Sequence, residues 1–162
     1  DYKVTGVQTC ALPISSFLAP RFGVPIMHGG FMARLRDLAR FGLLYTPSHD
    51  VVADRRIISK RHVDAIATQG NPELLRNARN GSGLPPGVKH NGFQWGLVYD
   101  NNDFFKGGWG GQGLLVNPEL DLVVAYSGYF RDDRSETDPL PLIRQVLQQV
   151  FMLAGGAGDH GS

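Results

Sequence analysis

The sequence predicts an α+β fold in which helices precede an antiparallel β meander and a closing helix packs on the sheet. Apolar residues recur at helical spacing between residues 31 and 45, capping signals at Ser59 and Asn71 indicate two short helices, and helical spacing returns between residues 140 and 151. Between residues 92 and 129 they instead alternate or form short runs that turn residues separate. Helices, then a block of strands, then a helix is the order of an α+β domain rather than of an alternating α/β domain.

Composition is typical of one folded globular domain. The chain has 162 residues, of which 42% are apolar and 19% charged. A net charge of +1 gives no global field that would attract nucleic acid or an anionic membrane. We therefore expect no nucleic-acid partner. The single cysteine excludes a disulfide framework and a cysteine-rich zinc site within the chain. No apolar run approaches the ~20 residues of a membrane-spanning helix, so we also expect no membrane span.

The amino terminus is interpreted separately from the domain. Residues 4–14 resemble the in-frame translation of a sequencing-library adapter fused to a reading frame at about Ser15, the alternative being a genuine irregular segment. We therefore predict an artefactual or disordered segment at 1–15, a domain at 16–154 and a disordered tail at 155–162. A signal peptide would lie upstream of such a junction, so the compartment is not predicted, and a periplasmic or secreted parent protein is compatible with the sequence.

Three helices are predicted before the strands. Residues 31–45 carry an amphipathic pattern that ends before Pro47. Ser59 is a suitable N-cap for a second helix through Thr68, which Gly70 terminates. Asn71 followed by Pro72 repeats the signal for a helix over 72–78, since proline suits the first helical position.

The strands are predicted from the change of period after residue 91. Residues 92–99 form a first strand, a turn follows at 100–103, and a second strand begins at Phe104. The glycine cluster at 107–113 breaks this strand, which continues extended over 114–116. Residues 117–121 form a hairpin loop, and 122–129 form a third run that is buried on both faces. A closing helix then ends at Gly155-Gly156.

The glycine cluster is the feature that points most directly to chemistry. It formally matches G-x-G-x-x-G, but a dinucleotide loop opens a helix, whereas the residues here lead into a strand and a turn. One interpretation is a glycine-rich bulge on an edge strand, and the other is a strand that presents backbone N–H groups to a substrate oxyanion.

Three segments together resemble the β-lactamase-related serine hydrolases. Residues 107–124 (GGWGGQGLLVNPELDLVV) resemble the third motif and following hairpin of that family, residues 29–42 resemble the helix before its last strands, and residues 92–96 (GFQWG) resemble the strand that follows. The family includes class C β-lactamases, DD-peptidases, family VIII esterases and aminohexanoate-oligomer hydrolases. The likeness runs from about Gly23 to Ala154, and it implies a partial serine β-lactamase/transpeptidase-like fold.

The resemblance implies specific roles for four residues. Trp109, Gly110 and Gly111 stand where β-lactamases have a lysine, a small residue and glycine, and where many relatives have histidine. The N–H of Gln112 would be one of two oxyanion donors, the other being that of the nucleophilic serine itself. Tryptophan offers no cation to a substrate carboxylate, so the resemblance favours small-molecule esters or neutral amides over β-lactams. The alternative for Trp109 is a half-buried aromatic residue beside a bulge.

The family's other motifs are missing from the sequence. No serine is followed three positions later by lysine, the Ser-x-x-Lys arrangement in which lysine takes the serine's proton. Tyr99-Asp100-Asn101 spells the second motif, Tyr-x-Asn, but lies too close before Trp109 and is interpreted as coincidence. We therefore expect a carboxy-terminal fragment of a hydrolase that is inactive alone.

No cofactor or metal is predicted, and one alternative function stays open. The five histidines have no metal-ligand spacing and are predicted to be surface or capping residues: His28, His49, His62, His90 and His160. The alternative is a non-catalytic α+β module that binds a peptide at an exposed sheet edge. The oligomeric state is not predicted.

Overall fold

The described residues form two antiparallel sheets and four α-helices, which confirms the predicted α+β class. In this computed structural model the structure describes residues 15–17, 30–78, 84–108, 111–128 and 138–156. The helices are α1 (Leu35–Leu43), α2 (Lys60–Thr68), α3 (Pro72–Ala78) and α4 (Leu140–Gly156), with a 3₁₀ helix at Pro47–Val51. The strands are β1 (Ser15–Phe17), β2 (Phe31–Ala33), β3 (Val88–Gly92), β4 (Trp95–Tyr99), β5 (Phe104–Gly108), β6 (Gln112–Asn117) and β7 (Leu122–Ser127).

The larger sheet is an antiparallel meander, as predicted. Its five strands lie in sequence order, β3-β4-β5-β6-β7, so each pairs with the strand that precedes or follows it in the chain. The β5–β6 pairing runs from Phe104 opposite Val116 to Gly108 opposite Gln112. The β6–β7 hairpin closes through the predicted loop at 117–121.

Helices cover both faces of this sheet because neighbouring residues on a strand point to opposite sides. Phe104 belongs to a core beneath α1 and α2, whereas Phe105 belongs to a second core beneath α4. The first core contains Val63, Ile66, Trp95, Val98, Phe104, Leu114 and Val116, and the second contains Tyr99, Phe105, Leu115 and Leu140. The sheet is therefore the middle layer of three.

Helix α1 approaches the sheet closely at a glycine. A Cβ at Gly42 would lie 2.6 Å from Val123 Cγ1 and 3.1 Å from Leu114 Cδ1. The absence of a side chain at this position therefore sets the distance between helix and sheet.

The first helix begins later than the sequence predicts. It starts at Leu35 rather than at residue 31, and residues 31–33 instead pair with β1. Arg34, in the N-cap position, has extended backbone angles (φ −66°, ψ 149°). A few apolar residues at the start of a segment fit the period of a helix and that of a strand equally well. Here they form a strand, because β1 is available to pair with them.

The caps of the next two helices are those predicted. The Ser59 hydroxyl accepts a hydrogen bond from the His62 N–H at 3.2 Å. The Asn71 carboxamide oxygen accepts from the N–H groups of Glu73 and Leu74 at 2.9 and 3.3 Å. These side chains satisfy amides that a helix N-terminus leaves unpaired.

Residues 92–99, predicted as one strand, instead contain a tight hairpin turn. Gly92 pairs with Trp95, so Phe93 and Gln94 form a two-residue loop with φ of 52° and 71°. Positive φ at both positions is the pattern of a type I′ turn, which normally carries Asn-Gly. The prediction was wrong because neither residue is typical of such a turn, and strand β3 before it was not predicted.

The glycine cluster lies at a hairpin and not in an edge strand. It connects β5 to β6, and both strands have neighbours on each side in the sheet. The predicted single broken strand is thus two antiparallel strands. Strand β7, predicted to be buried on both faces, is half-buried from Leu122 to Tyr126, because it is the last strand of the described sheet.

A buried ion pair fixes α4 to the β4–β5 turn. The Arg144 guanidinium donates from Nε to Asp103 Oδ2 at 3.1 Å and lies 3.4 Å from the centroid of the Tyr99 ring. Asp103 also accepts from the side-chain amides of Asn101 and Asn117, at 3.0 and 2.9 Å. Both carboxylate oxygens therefore have donors, as a buried charge requires.

Candidate active site at the β5–β6 hairpin

The structure describes two of the four predicted site residues. Gly111 is buried and has φ of 91°, a backbone conformation that favours glycine. Gln112 is exposed and begins β6. Trp109 and Gly110 lie outside the described residues.

The direction of the Gln112 amide follows from the peptide before it. The Gly128 N–H donates to the Gly111 carbonyl oxygen at 2.7 Å, so that carbonyl points toward the β7 side. In a trans peptide the N–H of the next residue points the opposite way, which here is toward β5. Gly108 is the register partner of Gln112 on β5. This orientation directs the amide into the sheet and argues against its predicted role as an oxyanion donor.

The end of β5 carries a triplet that the sequence interpretation passed over. Lys106, Gly107 and Gly108 are a lysine, a small residue and a glycine, the pattern that the resemblance assigns to the third motif of β-lactamases. All three are exposed. From the sequence, the motif is instead predicted three residues later, at Trp109.

This triplet extends beyond the pairing of β5 with β4. The β4–β5 register consists of Val98 opposite Phe104 and Leu97 opposite Phe105, and Lys106 lies past its end. Backbone groups of successive strand residues point to alternate sides. Since Gly108 and Gln112 face each other, the N–H of Gly107 points away from β6, toward the side on which the pairing with β4 has ended.

An open groove of about 530 Å³ lies beside Lys106. Its walls come from the α2–α3 connection and from the β3–β4 hairpin, and they include Leu74, Phe93 and Trp95. Four of the residues that line it have carboxamide side chains: Gln69, Asn71, Asn91 and Gln94. We call this cavity the hairpin groove.

Tyr126 packs over the strand that follows the hairpin. A methyl group at Gly113 would overlap the Tyr126 ring, which also stacks on Phe105 at 6.4 Å. Burial raises the pKa of the Tyr126 phenol well above its usual value, and the nearby Asp138 carboxylate raises this pKa further. Its hydroxyl donates to Asp138 at 3.1 Å. The phenol stays protonated at neutral pH and is not a general base in this arrangement.

Tyr99 and Asn101 do not form an accessible pair. Tyr99 is 3% exposed and lies against Arg144, and its burial raises the pKa of the phenol. Asn101 is held in the β4–β5 turn by its bonds to Asp103. Both residues serve the attachment of α4 to the sheet.

One histidine departs from its predicted surface location. His90 is 6% exposed, and its Nε2 lies 3.1 Å from the Ala67 carbonyl oxygen. A side chain on Gly70 would overlap the His90 ring, so glycine is needed there. No group of three histidine, cysteine, aspartate or glutamate side chains that could hold a metal ion occurs within the described ranges.

Comparison of the chain with protein-family models, with curated proteins and with solved structures finds no match. In the part of the chain that the structure describes, no helix combines the length and apolar character needed to cross a membrane.

Proposed function

We propose that this chain is the carboxy-terminal part of a serine hydrolase that cleaves ester or amide bonds through an acyl-enzyme. The observation that supports the proposal best is the exposed Lys106–Gly108 triplet, which lies past the end of the β4–β5 pairing. The meander and the closing helix around it agree with the order of elements in the β-lactamase-related family.

In this proposal the chain supplies one wall of the active site. A serine from a preceding segment attacks the acyl carbon, the alcohol or amine leaves, and water then releases the acid. The two glycines let a substrate lie along β5. The resemblance assigns the oxyanion amide to the residue after the triplet, which is here Trp109, a residue outside those that the structure describes. Lys106 adds a positive charge at the same strand end.

The position of Lys106 widens the expected range of substrates. The preference for neutral esters and amides depended on tryptophan standing in the third motif. With lysine in that place, an ammonium group is available to a substrate that carries a carboxylate. We therefore propose small ester or amide substrates, neutral or anionic.

The test begins with the reading frame upstream of Ser15, recovered from the source DNA. We expect it to encode Ser-x-x-Lys followed by Tyr-x-Asn or Tyr-x-Ser. In the longer protein, Lys106→Met is expected to lower kcat/KM for a p-nitrophenyl ester by at least about tenfold, since it removes a charge beside the acyl group. Lys60→Met is the matched control, because Lys60 is an exposed lysine on α2 that pairs with Asp64.

Two results would count against the proposal. One is a longer frame that lacks Ser-x-x-Lys, and the other is a Lys106 variant as active as the Lys60 variant. The 162-residue chain alone is expected to show no burst with the same ester. A burst from it would refute the inference that the nucleophile lies elsewhere.

A second candidate is the non-catalytic module that binds a peptide by strand addition. It is favoured by the strand order, which leaves β3 and β7 at the two edges of the described sheet. A complete frame without the serine motifs would support this candidate over the hydrolase.

A further inference from the structure

The hairpin groove has the size and lining of a small-molecule subsite. Its volume of about 530 Å³ falls in the range of roughly 300–1,000 Å³ that is usual for ligand pockets. It combines apolar side chains with several polar groups that converge on one space. It adjoins the β5 strand end, because Lys106 lines it.

Phe93 lines this groove and has an unfavourable backbone conformation. Both residues of its turn have positive φ, which glycine or asparagine adopts at lower cost. Its ring is 46% exposed and meets the His62 ring edge-to-face at 5.3 Å. The turn does not require an aromatic residue, so the exposed ring needs another explanation.

The polar lining indicates what kind of ligand would fit. Carboxamides donate and accept hydrogen bonds, so lining residues with such side chains, Gln94 among them, suit a ligand with an amide or ester group. No carboxylate lines the groove among the described residues, so nothing there selects a cationic ligand. The exposed Phe93 ring favours an aromatic group, which pairs edge-to-face or offset.

We propose that the hairpin groove is the subsite that receives the aromatic side group of an ester or amide substrate, with Phe93 as its specificity-determining residue. The assignment as a substrate subsite rests on the proposed hydrolase function. The binding preference itself concerns this chain alone and can be measured without catalysis.

The test compares two neutral amides that differ only by a phenyl ring. N-acetylphenylalaninamide and N-acetylalaninamide are titrated into the ¹⁵N-labelled 162-residue chain and followed by NMR. We expect the phenyl compound to shift the amides of residues 92–96 and Lys106 and to bind at least fivefold more tightly. Phe93→Ala is expected to remove this difference, whereas Phe41→Ala, at a phenylalanine 40% exposed outside the groove, should preserve it.

A second variant distinguishes loss of the Phe93 ring from misfolding of the β3–β4 hairpin. Phe93→Asn with Gln94→Gly restores a favourable turn without the ring, and it is expected to lose the phenyl preference as Phe93→Ala does. Equal binding of the two amides to the unmodified chain, or an unchanged preference in both Phe93 variants, would overturn the proposal. If the chain prefers the phenyl compound but the longer protein hydrolyses no ester or amide, the proposed hydrolase function is refuted. The groove would then be a binding site for aromatic amides.

Discussion

Single residues hold the carboxy-terminal helix on the sheet. Asp103 is 6% exposed, and its carboxylate receives one guanidinium and two carboxamide donors. Loss of a donor leaves such a charge without a partner in a mostly buried position, which is costly. The sequence shows aspartate and asparagine in a turn, but it does not show that an arginine 41 residues later completes the site.

Removal of Arg144 is therefore expected to be costly. Arg144→Met keeps much of the apolar stem but leaves Asp103 without its cation, so we expect the free energy of unfolding to fall by about 3 kcal/mol. Lys60→Met is the control, because the Lys60–Asp64 pair is exposed, and we expect a change within about 0.5 kcal/mol. Urea unfolding measures both, and equal losses would contradict this role of Arg144.

Asp121 links the 3₁₀ helix to the β6–β7 hairpin and makes a pH-dependent contribution. Its carboxylate accepts from the Ser48 hydroxyl at 2.6 Å and from the Ser48 N–H at 3.0 Å. These hydrogen bonds hold the pKa of Asp121 below its usual value. A lowered pKa in the folded state gives stability that is present above the unfolded value of about 4 and is lost as the pH falls through the folded value.

The titration of Asp121 tests this contribution. In Ser48→Ala the hydroxyl donor is lost, so we expect the pKa of Asp121 to rise toward its unperturbed value. NMR titration of the Asp121 carboxyl carbon measures it in both proteins. An unchanged pKa of Asp121 would show that Ser48 is not its main donor.

At the scale of elements, the closeness of α1 to the sheet depends on one glycine. Gly42→Ala would favour the helix by about 1 kcal/mol on intrinsic propensity. The new methyl group would lie 2.6 Å from Val123 Cγ1, and overpacking of this kind costs about 1–3 kcal/mol. We expect a net loss of stability in thermal unfolding, and Val123→Ala in the same protein should recover part of it. A stabilised Gly42→Ala protein would contradict the observed packing.

The β3–β4 hairpin is expected to be less stable than its sequence could make it. Each non-glycine residue in a left-handed conformation costs about 1–2 kcal/mol, and Phe93 and Gln94 are two in succession. Phe93→Asn with Gln94→Gly should therefore raise the free energy of unfolding by about 1 kcal/mol or more. Thermal unfolding measures this change. A less stable double variant would show that the Phe93 ring contributes more than the turn costs.

The start of a helix could be predicted from sequence where a residue next to it, such as a capping residue, determines it. Ser59 and Asn71 identify two helix starts because the side chain that caps the helix is adjacent to it. The Phe93-Gln94 turn was missed because its conformation is imposed by the pairing of β3 with β4 and not by its residue types. The start of α1 was misplaced for a related reason, since β2 depends on a partner strand 14 or more residues away.

For the whole molecule, the order of elements was sufficient to predict the class and the meander, because neighbouring strands in this sheet are neighbours in sequence. The candidate site was harder to predict, because the residues whose amides face outward depend on how β5 pairs with its neighbouring strands. A shift of three residues separates the predicted motif at Trp109 from the triplet at Lys106. Only the pairing of β5 with β4 and β6 shows which amides face outward.

The central claim is that the strand end at Lys106–Gly108 lines the active site of an enzyme that forms an acyl-serine. The most direct measurement is intact-protein mass spectrometry of the longer protein, mixed with p-nitrophenyl acetate and quenched in acid within the burst. We expect one added acetyl group per chain, mapped to the serine of Ser-x-x-Lys, with its rate of formation reduced at least about tenfold by Lys106→Met and unchanged by Lys60→Met. An unacylated protein, or acylation at the same rate in both lysine variants, would contradict the account.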